Sequence, residues 1–265
     1  MKRLYLSFLV IITIANIYGQ QATTVRKIHD GSSKWLEQLL RSQASPLLKH
    51  VLDLPDTFQY QLIYTQIDRD KNNQPHFKNY YLHVDKDLYF NPASTVKLPV
   101  ALAALEKLHE LNVPGLDKNT TMLTDSSYNG QIKVYTDSLA ENGLPSVAQY
   151  IKEIFLISDN DAYNRLYEFV GQQALNDKLW KKGYTGSRIT RRFMPITEEE
   201  NRHTNAILFM QGNKIIYQQA PAVNSVPFDF SKKHLVGNAY YNRHDSLVHQ
   251  PMDFTTHNIF PLQDL

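Results

Sequence analysis

The polarity pattern falls into three blocks. Apolar positions Trp35, Leu36, Leu39, Leu40, Leu47, Leu48, Val51 and Leu52 recur at helical spacing, so Ser32–Leu54 reads as a helix that Pro46 interrupts. Phe58–Ile67 and Phe77–Val84 read as strands, with the polar run Asp68–Pro75 as their hairpin loop. A long helix is expected over Ala93–Leu111, closed by Pro114-Gly115, followed by an irregular polar stretch, Leu116–Pro145. Ser146–Ile157 and Asp161–Val170 form a helix pair around Ser158-Asp159-Asn160, with Gly171 at the C-cap. Gly183–Asn205 reads as a long loop. Ala206–Met210 and Lys214–Gln219 flank Gly212-Asn213 as a hairpin. Ala220–Leu265 mixes turn residues with short aromatic strands such as Ala239-Tyr240-Tyr241. Strands, then helices, then strands imply an α+β (mixed α/β) fold in which an antiparallel sheet packs with helices beside an all-helical part.

Composition narrows the classes. The chain has 265 residues, 42% of them hydrophobic, which is enough for a real core. Its net charge of +2, with both signs interspersed, points away from nucleic acid. There is no cysteine, which excludes disulfides, thiolate metal sites, a cysteine nucleophile and a lipid-modified N-terminus. The basic start Met1-Lys2-Arg3, the apolar run Leu4–Ile14 and the segment ending at Gly19-Gln20 follow the plan of a cleavable signal peptide over residues 1–20. An uncleaved membrane anchor needs about 20 apolar residues, more than this run has. The expected location is therefore periplasmic or secreted, without a stable membrane anchor.

The chemistry concentrates at Asn91-Pro92-Ala93-Ser94-Thr95-Val96-Lys97-Leu98-Pro99. Asn91 can cap and Pro92 suits the first helical position, which puts Ser94 in the first turn. Ser94 and Lys97 then share a helix face. A serine hydroxyl needs a neighbouring base to become a nucleophile at neutral pH, and a lysine serves only when its pKa is lowered. The helix N-terminus supplies positive potential and free N–H groups for an oxyanion. Pro99 sits inside the expected helix, where it costs about 3 kcal/mol. A Ser-x-x-Lys spacing is common by chance, so a second element is needed.

Ser158-Asp159-Asn160 is that element. The pairing of Ser-x-x-Lys with Ser-Asp-Asn, and the flanks Ser94–Leu102 and Ser158–Leu166, resemble class A β-lactamases and penicillin-binding proteins of the serine β-lactamase superfamily. The resemblance implies a β-lactamase/transpeptidase-like fold and acylation of Ser94. It also implies that Ser158 relays a proton to the leaving nitrogen, while Asn160 holds Lys97 and the substrate amide. Asp159 is expected to bond its own turn.

Two family features fit less well. The loop glutamate that primes a deacylating water would come from Glu200 or Glu198, neither at the usual spacing from Asn201. A lysine, serine or threonine, glycine triplet is absent after Ser158; Lys181-Lys182-Gly183 lies too early and has the wrong middle residue. Residues 206–250 have the look of an insertion, and Leu262–Leu265 of a helix's first turn. Residues 21–265 are accordingly read as an incomplete domain whose C-terminal strands and helix lie further on, inactive and poorly stable alone. The ten histidines show no zinc pattern, and His244 and His249 are isolated. The expected reaction uses no metal or organic cofactor. Its partner is a small molecule, a β-lactam or a peptidoglycan peptide, and the protein is expected to be a monomer. A slowly deacylating D-alanyl-D-alanine peptidase and a non-catalytic sensor module are the alternatives.

Overall fold

The computed structural model describes residues 33–129 and 131–265. The expected signal peptide lies outside the described residues. The first helical block splits as its sequence requires. α1 (Lys34–Gln43) starts at a Ser33 cap, and α2 (Pro46–Asp53) starts at Ser45 with Pro46 in its first turn. A single turn, α3 (Pro55–Phe58), leads into β1 (Leu62–Arg69), which pairs antiparallel with β2 (Pro75–Leu82). Leu36, Leu52 and Leu82 form a small core of their own under this hairpin.

The main core is helical. A 3₁₀ turn at Ala93–Val96 runs directly into α4 (Lys97–Leu111), rich in alanine and leucine, both good helix formers. Pro99 falls just past the 3₁₀–α junction, in the first turn of α4, where an absent N–H costs least. The helix-interior penalty expected for Pro99 is therefore largely avoided. Val100, Ala101, Ala103, Ala104 and Leu108 turn inward; the small alanines let a neighbouring helix approach closely.

After β3 (Thr121–Thr124) come α5 (Val147–Ile157), α6 (Asn160–Val170) and α7 (Gln172–Lys181). Each of α5 and α6 is capped by a side chain: Ser146 accepts from Gln149 N–H at 3.1 Å and Asp159 from Ala162 N–H at 2.8 Å. Such caps contribute about 1 kcal/mol each. α6 packs against α4, α5 and α7, and residues Ala162 to Val170 are all buried. α7 was not anticipated. Gly171 is both the end of α6 and the start of α7, and Leu175 and Leu179 bury that helix's inner face.

The expected loop Gly183–Asn205 contains two elements, α8 (Glu198–Arg202) and β4 (His203–Thr204). Gly183 closes α7 with φ +97°, so Lys181-Lys182-Gly183 is a helix end and not a strand. The expected hairpin forms as β5 (Ile207–Gln211) and β6 (Lys214–Gln219). β3 adds to its other edge, giving a three-stranded antiparallel sheet in the order β3-β5-β6. Ile207, Phe209 and Met122 on this sheet are fully buried in the main core. Residues 207–219 therefore belong to the body of the fold and are not an insertion. β7 (Ala222–Val223) pairs with β4. The rest of the chain makes two short pairs, β8 (Leu235–Val236) with β11 (Met252–Asp253) and β9 (Tyr240–Tyr241) with β10 (Leu247–Val248). The expected single antiparallel sheet is thus, among the described residues, a set of small antiparallel sheets around a helical centre. Leu262–Asp264 forms a 3₁₀ turn.

Candidate active site

The 3₁₀ turn carrying Ser94 and the turn between α5 and α6 meet at one point. Both turns use unusual backbone. Ala93, just before Ser94, has φ +42°, and Ser158 has φ +56° as the left-handed residue ending α5. Neither is glycine, so both conformations carry strain, a pattern common where side chains are held for function. Asn91 Oδ1 accepts from Ala93 N–H at 3.2 Å, so Asn91 supports the turn before the helix rather than capping α4 itself.

Ser158 Oγ donates to Ser94 Oγ at 2.9 Å. Lys97 Nζ donates to Ser158 Oγ at 3.0 Å, to Asn160 Oδ1 at 2.8 Å and to the Ser158 carbonyl. No direct hydrogen bond joins Lys97 to Ser94 among the described residues. The expected serine–lysine pair is therefore a three-membered path, Ser94–Ser158–Lys97. Either hydroxyl can rotate to pass its proton in either direction. Lys97 is 2% exposed. Burial lowers its pKa below the ordinary lysine value, against a smaller opposing pull from Asp159. The Phe193 ring stands 5.1 Å from Nζ and covers it.

A cavity of about 410 Å³ opens beside these groups, walled by Ala93, Asn160, Phe193, Met194, His257 and Asn258 among others. Two segments form its far wall, and both are tightly held. The 188–193 segment hangs on α6: Tyr163 Oη donates to Arg191 O at 2.9 Å, Tyr167 Oη to Thr190 O at 3.1 Å, and Phe193 N–H to Asn164 Oδ1 at 2.8 Å. Beneath it lies a buried ion triad. The Glu168 carboxylate accepts from Arg165 at 2.9 Å, from Arg192 at 2.6 Å and from the Asn205 amide at 3.2 Å. Sequence reasoning missed Glu168, although its spacing from Arg165 on one helix face was a readable signal.

Glu200 and Glu198 are placed elsewhere. Glu200 forms a capping box with Thr197 at the start of α8, accepting from Thr197 N–H at 2.7 Å and from its hydroxyl at 2.8 Å. Those bonds hold its carboxyl below the usual glutamate range, which makes it a weaker base. Glu198 is an exposed residue of the same first turn. Neither lines the cavity, and no other carboxylate does among the described residues. Asp159, by contrast, bonds its own turn as expected.

A family model described as a beta-lactamase enzyme family matches residues 58–218, more than half of the chain. The chain belongs to the beta-lactamase enzyme family. The matched stretch contains both turns of the hydrogen-bonded path, the buried triad and all of the three-stranded sheet but its last residue, Gln219. His257 and Asn258, on the cavity wall, lie beyond it. No curated protein matches the chain.

Proposed function

We propose that this member of the family is an exported serine hydrolase of class A type, acting on a small-molecule amide, a β-lactam ring in the first instance. The observation that carries this reading is the continuous path Ser94–Ser158–Lys97, with Lys97 buried and shifted toward its neutral form. Ser94 Oγ would attack the amide carbonyl while its proton passes to Ser158, and the Ser158 proton to the neutral Lys97 amine. On collapse of the tetrahedral adduct the same path runs backwards, and Ser158 protonates the departing nitrogen. Asn160, already fixed on Lys97 through Oδ1, keeps its amide N–H groups for the substrate.

One observation favours a second reading, a penicillin-binding protein that acylates quickly and deacylates slowly. The cavity beside Ser94 is lined by no carboxylate among the described residues, and Glu200 is committed to its helix cap. A chromogenic cephalosporin followed together with intact-protein mass spectrometry separates the two. Steady turnover with little accumulated adduct supports the hydrolase. A stoichiometric burst and a lasting adduct support the slow enzyme. No adduct and no turnover would leave only a non-catalytic module with the same pocket.

A further inference from the structure

The cavity beside Ser94 carries positive charge that no lining carboxylate balances among the described residues. Its ionisable lining consists of Arg191, Arg192 and His257. Arg192 is fully buried and paired with Glu168 at 2.6 Å. Arg191 differs: its backbone is pinned, but its guanidinium has no ion pair and no hydrogen bond among the described residues. Its charge is felt at the His257 imidazole, whose pKa is pushed down first by burial and then by Arg191. The opposing carboxylate, Asp253, is exposed to solvent and already accepts from Thr255 N–H at 2.8 Å.

The backbone segments bearing the two residues are held in place independently of any ligand. Asn258 Oδ1 accepts from Thr190 N–H at 2.8 Å and from Arg191 N–H at 3.0 Å. Thr190 Oγ1 donates to Thr256 O at 2.9 Å, and Arg188 and Ile259 exchange backbone bonds at 2.8 and 2.7 Å. The segment bearing His257 is thus fastened across the one bearing Arg191. An unpaired guanidinium on a pinned backbone, in a concave site with an apolar wall, here Phe193, Met194 and Pro195, suits a planar anion.

Position decides which part of a substrate would reach it. The leaving nitrogen must lie at Ser158, which protonates it, and Ser158 does not line this cavity. Ala93 and Asn160 do, and Asn160 is the residue whose amide the acyl-Ser94 reading gives to the retained part of the substrate. We propose that this cavity seats an acidic group on the acyl portion of the substrate, a carboxylate held by the Arg191 guanidinium and flanked by the His257 imidazole. The assignment to the acyl portion rests on the acyl-Ser94 reading; the anion site itself does not.

Two measurements on the full-length chain test it. In the first, phenylmalonic acid monoamide and phenylacetamide, which differ by one carboxylate, are titrated while the His257 ring proton is followed by NMR. The carboxylated amide is expected to shift that resonance and raise the imidazole pKa, and to bind at least tenfold more tightly than phenylacetamide. Arg191→Gln should remove the difference, and Arg191→Lys should restore part of it. Equal binding of the two amides, or a difference that survives Arg191→Gln, would overturn the site. In the second, Ser94 is acylated with two penicillins that differ by a side-chain α-carboxylate; the carboxylated one should react several-fold faster, with parity in Arg191→Gln. Binding of the acidic amide without any Ser94 adduct would uphold the anion site and sink the acyl-enzyme reading. Adducts formed at equal rates, with no selective binding, would sink the anion site alone.

Discussion

Removing the Glu168 carboxylate tests how the loop carrying Phe193 is held. Its side chain is 1% exposed, and those of Arg165 and Arg192 are 2% and 0% exposed. Both guanidiniums already leave their Nε groups without a partner, so no spare acceptor stands ready among the described residues. Glu168→Ala would strand the buried Arg192 charge and leave Arg165 only the exposed Asp161 carboxylate at 3.7 Å, a change that costs about 3–5 kcal/mol. With a urea slope of about 3 kcal/mol/M for a chain of this size, the unfolding midpoint should fall by roughly 1–1.7 M. Glu168→Gln keeps one acceptor oxygen and should cost about 2 kcal/mol. Replacing the triad together, by Glu168→Leu with Arg165→Met and Arg192→Met, removes the buried charges and should be less harmful than Glu168→Ala alone. Circular dichroism during urea unfolding reads all three. A midpoint shift under about 0.3 M for Glu168→Ala, or a triple replacement worse than it, would refute the reasoning.

Three further expectations follow from the path and from a second buried lysine. Ser158→Gly fits the left-handed backbone at φ +56° and removes the short CH2OH side chain with its hydroxyl, so acylation should drop about 10²-fold while the melting temperature holds. A melting temperature that falls along with acylation would instead assign Ser158 a packing role. Only the neutral Lys97 amine accepts a proton, so the acylation rate should climb with pH and level off below the ordinary lysine range, because burial depresses that pKa. A pH-independent rate would count against Lys97 as the base. Lys107, buried against the C-terminal carbonyls of α6 and Gln219, has its pKa pushed down to about 8 from 10.5 by burial. Between those values the unfolded chain binds more protons, so stability relative to Lys107→Met should rise by about 2 kcal/mol from pH 8 to pH 10. A flat difference across that range would show that Lys107 is not desolvated.

What could be read from the sequence was local. Ser94 and Lys97 sit one helical turn apart, Ser158-Asp159-Asn160 caps two helices, and Ser45-Pro46 splits α1 from α2; each is a short-range rule acting within a few residues. The misses are long-range. β3 has only four residues, and nothing within Thr121–Thr124 announces that it will pair with Ile207–Met210. Glu200 stood out as one of three acidic loop residues, but its partner Thr197 makes it a helix cap. His257 reaches the cavity because Thr256, Asn258 and Ile259 bond a segment far upstream. α7 was legible in the spacing of Leu175 and Leu179, and was obscured by Gly171, which ends one helix and starts the next.

The central claim is that Ser94 is the nucleophile of the Ser94–Ser158–Lys97 path. The direct measurement is peptide mapping by mass spectrometry after the full-length chain has been exposed to a reporter penicillin. One adduct, on the peptide carrying Ser94 and lost in Ser94→Ala, is the predicted result. An adduct on any other residue, or equal labelling of Ser94→Ala, would contradict it.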